Sequence, residues 1–200
     1  MKKRILLTLT AAALFFICLF VSVEKDAQTV RDSVFRFHVI ANSDSAADQS
    51  NKLAVRDGIS ELCSSLFSKC DSKEQSMAVA DSSLEKIEAK ATEVLRLRGD
   101  DSTVCAAVTK RWFPTRCYDG VTLPAGVYDT LDIKIGKAEG QNFWCVMFPD
   151  ICLNASTAAA NKQKMSSVLS GGSLRLTTGN VKFKFKIVEI FQKAKRKLCR

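Results

Sequence analysis

Few side chains in this sequence could do chemistry, and they gather near one place. His38 is the lone histidine among 200 residues, and Ser43 and Asp44 follow it closely. An exported hydrolase of Ser-His-Asp or Cys-His type would have to be built on His38 with Ser43 or Asp44. Against that reading, no nucleophile elbow surrounds any serine, and a strand histidine is more often structural or part of an interface. Asp44 and Asp48 could hold a hard cation, yet two carboxylates at a helix start more commonly serve as caps favoured by the helix dipole. A single histidine and the absence of any CxxC pair argue against zinc. No glycine falls in a GxGxxG or GxxxxGK[ST] pattern, so neither cofactor nor metal is expected.

The cysteines are the other reactive set. There are eight, and Cys18 lies in the apolar N-terminus, which leaves seven and forbids complete internal pairing. Cys63 and Cys70 follow one another along a helical pattern at roughly 10 Å, beyond disulfide reach, and read as packed thiols. Cys145 and Cys152 flank Pro149-Asp150, a segment able to reverse the chain. A disulfide between them and a pair of free thiols both fit.

The elements that must position these residues can be read from period and punctuation. Ser33 to Ala41 is β-branched and aromatic, with Phe35, Phe37 and Val39 on one face and His38 on the other, which predicts a strand. Asn42 to Ser45 supplies turn and cap chemistry, and a helix is predicted from Ala46 to about Ser68. Asp71-Ser72 starts a second amphipathic stripe that ends near Gly99. Beyond Ser102 the period changes to two, with strands around Val104 to Val108, Val127 to Ile135 and Phe143 to Phe148. A meander of antiparallel strands is the simplest arrangement, with the apolar Phe143 run in a central place. Asn154 to Gly172 reads as a loosely ordered surface insertion that could be part helical. Val181 to Ile187 alternates apolar residues with lysine, the pattern of a strand with one wet face, and Val188 to Lys197 could turn helical. The fold class is therefore α+β: an N-terminal strand, two amphipathic helices and a mostly antiparallel sheet in a single domain over residues 30–192.

Ahead of that domain, Met1 to Val23 has the form of an export signal or membrane anchor: Lys2, Lys3 and Arg4, then an uncharged apolar run. Cleavage and retention are both open, because no small-x-small site follows Val23 and the run approaches spanning length. Either way the cationic end stays in the cytoplasm and the body lies outside. The net charge of +9 is concentrated at the two ends, +3 in the first four residues and +7 in residues 182–200, which leaves 5–181 at −1. That distribution excludes a nucleic-acid-binding body. The basic tail, 193–200, with Lys193, Lys195, Arg196 and Lys197, suits an anionic membrane surface.

The run Phe35 to Gln49 (FRFHVIANSDSAADQ), continued by Lys52 to Asp57, resembles the stage II sporulation protein R family. Trp112 to Thr115, Leu123 to Tyr128 and Gly140 to Cys152 agree with it, and the resemblance runs from the leader to about Phe191. It implies a non-enzymatic signal secreted from the forespore into the intermembrane space during endospore formation. There it would activate a membrane-embedded aspartic-type peptidase that processes the sigma-E precursor. On that basis His38, Asn42, Ser43, Asp44, Asp48, Gln49 and Trp144 are the expected partner-binding surface, with Cys145 and Cys152 as structural or contact residues.

Overall fold

Phe35, Phe37 and Val39 need a dry neighbour on one side of their strand, while Arg36 and His38 need polar partners on the other, so the strand must be enclosed on both faces. A computed structural model of the chain, which describes residues 2–151, 157–179 and 182–198, encloses it. Helix α1 (Lys2–Ser33) leads into β1 (Phe35–Ile40), followed by α2 (Ala46–Leu66), α3 (Lys73–Ser82) and α4 (Leu84–Arg96). Then come β2 (Val104–Phe113), β3 (Arg116–Tyr118), β4 (Val121–Leu123), β5 (Gly126–Ile135) and β6 (Asn142–Phe148), and finally α5 (Ala158–Val168), α6 (Gly171–Thr178) and α7 (Lys182–Leu198). The α+β class and the mostly antiparallel sheet are as the sequence implied.

The sheet order is β2-β5-β1-β6, with β1 parallel to β5 and antiparallel to β6, while β3 and β4 form a separate ribbon. This is not a meander. β1 enters between β5 and β6, because Phe35, Phe37 and Val39 are all buried and a central strand buries such residues best. The apolar β6 is consequently an edge strand, buried on both faces over Cys145 to Met147.

Local chemistry sets the helices. Ser45 caps α2 by accepting from the Asp48 amide, and Ser72 caps α3 by accepting from the Gln75 amide. The single helix expected up to Gly99 is broken at Ser83, which ends α3 and starts α4. Asp81-Ser82-Ser83 has weak helix propensity, and the break still keeps Ala80, Ile87, Ala91 and Leu95 in one buried stripe. Gly99, at φ +73°, ends α4 as expected. These helices cover the face that carries Phe37, Leu131, Ile133 and Cys145.

A second core fills the opposite face at one end, where Val30, Val34, Phe113, Tyr128, Val146, Met165 and Leu169 meet. One expectation is sharpened here and another fails. The segment read as a loose insertion contains α5, capped by Thr157 and anchored by the buried Met165 and Leu169. Its apolar residues are too few to give a periodic signal. The segment read as a strand, Val181 to Ile187, falls within α7 from Lys182 on, because Phe185, Val188 and Gln192 bury at spacings of three and four. Alternation with lysine over seven residues does not exclude a helix, since lysine is a good helix former.

α1 is long and apolar enough to cross a membrane. It does not stop at Val23. Val23, Ala27 and Val30 are buried in the domain, and only Val34 separates the helix from β1.

Candidate functional site

The corner after β1 gathers five of the expected site residues, and most of their polar groups face inward. Asn42 Nδ2 donates to Asp48 Oδ2 at 3.0 Å, and the Ser43 hydroxyl donates to the same oxygen. Gln49 Nε2 donates to the Ser43 carbonyl at 2.9 Å. The corner then grips the turn between β5 and β6. Asn42 Oδ1 accepts the Lys137 amide at 3.0 Å, and Asp44 Oδ1 accepts the Gln141 amide at 2.7 Å. Lys52 bridges both loops, donating to Gln49 Oε1 at 2.6 Å and to the Gln141 carbonyl at 3.2 Å.

Two glycines make this approach possible. A Cβ on Gly136, whose φ is +54°, would lie 2.3 Å from Asn42 Oδ1, and one on Gly140 would lie 2.2 Å from the Ser43 carbonyl oxygen. The Ser43 and Asn42 hydrogen bonds hold the Asp48 carboxyl below its ordinary pKa, and burial lowers that of the Lys52 ammonium. Asn42, Ser43, Asp48 and Gln49 thus act as a staple between two loops. Asp44 is the exposed member.

His38 and Trp144 lie elsewhere, opposed on β1 and β6 with their rings stacked at 6.2 Å. His38 Nδ1 donates to Asp132 Oδ1 at 2.7 Å, and Nε2 lies 2.8 Å from Asn142 Oδ1. Arg111 holds the other Asp132 oxygen through Nε at 3.0 Å and through Nη2. Burial raises the Asp132 carboxyl, but the His38 and Arg111 bonds outweigh it and leave the group below its usual range. Both ring nitrogens of His38 are therefore occupied. Neither Ser43 nor Asp44 is a partner, so the proposed His38–Ser43/Asp44 centre does not form.

Next to this triad, Arg36 is fully buried on the same side of β1. Its Nε donates to the Cys145 carbonyl at 3.2 Å and its Nη2 to the Tyr118 hydroxyl, while the guanidinium lies 4.0 Å from the Phe113 ring centroid and 4.9 Å from that of Tyr128. Among the described residues it has no ion pair, and Nη1 lacks a hydrogen-bond partner. Burial lowers its pKa.

Beyond Arg36 the sheet face opens. Cys105, Lys134 and Asn142 are exposed, Trp144 and Arg111 are half-buried, and the exposed Arg116 lies 4.0 Å over the Trp144 ring. This end is a cationic and aromatic patch resting on the His38–Asp132–Arg111 triad. Asp132, Arg111, Arg116 and Asn142 were missed from sequence. Asp132, a carboxylate between Leu131 and Ile133, carried a signal: an acid inside a buried strand needs a cationic partner.

Cys145 is disulfide-bonded, and its expected partner Cys152 lies outside the described residues. Cys63, Cys70, Cys105 and Cys117 are free, and burial pushes the Cys63 thiol up to about 12. Among the described residues no three His, Cys, Asp or Glu side chains converge on a point where a metal could sit.

The chain is thus an apolar helix of spanning length, of the kind that serves as a signal or anchor, running straight into an α+β domain whose polar groups mostly bind one another. Residues 31–158 match the family model of stage II sporulation protein R. The chain is also 32% identical over 142 residues to the stage II sporulation protein R of Bacillus subtilis (strain 168), an overlap of 70% of this chain and 63% of that protein. No solved structure matches. The chain belongs to the stage II sporulation protein R family, and it spans 63% of the length of the relative it matches.

Proposed function

We propose that this chain is a non-enzymatic signal of endospore formation, exported from the forespore into the intermembrane space. It activates the membrane-embedded aspartic-type peptidase that processes the sigma-E precursor. The observation that carries the reading is the family match over residues 31–158, which takes in β1, the corner and the whole sheet.

The open end of the sheet supplies the contact surface. Trp144 and Arg116 offer an aromatic and cationic pair of the kind that dominates interface energetics, and His38 and Asp132 hold the ground beneath them. Asp44 adds an exposed carboxylate at the corner. Co-expression of the chain with the peptidase and the sigma-E precursor tests this. Trp144→Ala combined with Arg116→Glu is expected to stop precursor processing, with the variant accumulating at normal levels. Processing at full rate would remove this face from the proposal, and processing without the chain would remove the activator role.

A further inference from the structure

α7 is not free of the rest of the protein. Gln192 Nε2 donates to Glu24 Oε1 at 2.6 Å, and the same oxygen accepts from Arg31 Nη2 within α1. Phe185 and Val188 pack with Val23 and Ala27 of α1. These contacts fix how α7 is rotated about its axis and leave Ile190 and Phe191 outside, 61% and 38% exposed. Two large apolar residues facing solvent are ordinary when scattered, but these are not scattered. The Phe191 ring meets Phe20 edge-on at 5.0 Å, and Phe20, itself half-buried, lies in the apolar run of α1 between the exposed Leu19 and Val21. Val23, where burial in the domain begins, is only three residues on, about 4.5 Å along the helix. The outer surface of α7 therefore lies level with the end of the stretch that enters hydrocarbon.

The same helix is strongly basic, with seven Lys and Arg residues against Glu189 over Lys182–Leu198. Lys186 and Lys193 are exposed within one helical turn of Ile190, Lys193 in an ion pair with Glu189 at 2.6 Å, while Arg196 turns to the domain and lies 5.0 Å over the Trp112 ring. Apolar residues at the level of the membrane boundary, flanked by cations, are the features of a helix lying in a headgroup layer, and its charge matches lipids of opposite sign.

We infer that α7 docks on the anionic surface of the membrane that α1 enters, so that α1 and α7 together form a two-part anchor clamped through Glu24 and Gln192. A protein groove would satisfy Ile190 and Phe191 equally, but nothing would then align them with Phe20 and the apolar run. This inference does not depend on the peptidase reading and can fail without it.

The test uses the full chain with α1 inserted in lipid nanodiscs, either phosphatidylcholine alone or phosphatidylcholine with phosphatidylglycerol, and follows amide hydrogen exchange. Exchange in α7 is expected to slow by about tenfold or more when phosphatidylglycerol is present, as two or more cations meeting an anionic surface imply. Ile190→Asp with Phe191→Asp, and separately Lys186→Glu with Lys193→Glu, should abolish the slowing while β5 amides exchange as before. Equal exchange in the two lipids overturns the inference. So does slowing that survives both variants, or slowing in detergent that rises with protein concentration, which would point to a second copy of the chain.

Discussion

The two faces of the central sheet are built on opposite physical terms. The face carrying Phe35, Phe37 and Val39 is mostly apolar, with a Lys73–Asp129 ion pair at its Phe35 end, and is closed by α2, α3 and α4. The face carrying Arg36 and His38 is also largely withdrawn from water, yet it holds a guanidinium, an imidazole and the Asp132 carboxylate. Burial of apolar area stabilises the first without regard to direction. The second is stable only because each polar group meets a particular partner, and Arg36 meets aromatic faces and a carbonyl in place of a carboxylate. One face is tolerant of detail and the other depends on it.

The sharpest break of the first face is Phe37→Ala. Phe37 is buried among core side chains and lies edge-on to Phe143, so its removal is expected to cost about 3–5 kcal/mol in denaturant unfolding. A shift below about 1 kcal/mol would mean that this face is not a close-packed core.

On the second face, Asp132→Ala leaves His38 and Arg111 without their shared carboxylate and is expected to cost about 2–3 kcal/mol. The pH dependence gives an independent reading. A carboxyl held below its unfolded value stabilises the fold above that value, and the contribution is lost as the pH falls through the folded one. The parent should therefore lose stability below about pH 4, and Asp132→Asn should lose less over the same range. Identical acid limbs in the two proteins would exclude Asp132 as a source of that dependence.

Arg36 separates packing from charge. Arg36→Met keeps volume within the aromatic cage and removes the unpaired buried Nη1, whereas Arg36→Ala removes the volume too. Met is expected to be the more stable variant by about 2 kcal/mol, and a loss in Met against the parent as large as the loss in Ala would show that the guanidinium's charge and hydrogen bonds, and not its volume, hold the cage. The smallest effect belongs to the corner. Asp48→Ala should speed amide exchange at Lys137 and Gln141, whose acceptors Asn42 and Asp44 it helps to hold, while β1 amides keep their rates. Uniform acceleration across the sheet would show that the corner is part of the global folding unit.

The contrast also explains what could be read from sequence. Phe35, Phe37 and Val39, the Ser45 cap and the stop at Gly99 are local signals, and each marked its element. The position of β1 between β5 and β6 depends on contacts about ninety residues apart, such as His38 with Asp132, which no short window contains. The corner was legible as a cluster but not as a staple, because the groups that occupy it belong to the turn from Gly136 to Gln141. His38 and Trp144 did fall together. Arg36 lies in the same FRFHVIA run, but a burial as complete as its own has no counterpart in residue type. The extent of α5 and the first part of α7 were not legible for a simpler reason: Met165 and Leu169 are too sparse to set a period, and lysine alternation imitates a strand, whereas the helical end of α7 from Val188 was expected.

One junction bears on how such a protein would work in a narrow space. α1 passes from its apolar run into the domain as a single helix, and Val34 alone intervenes before the sheet begins. With α1 held in a bilayer, the domain cannot wander at the end of a flexible tether. Its open sheet end would sweep only a small solid angle at a fixed height, so the local concentration of that face at an opposing membrane would be set by the gap between the two membranes. A widening of the gap by a few nanometres would then silence the contact without any change in the amount of protein.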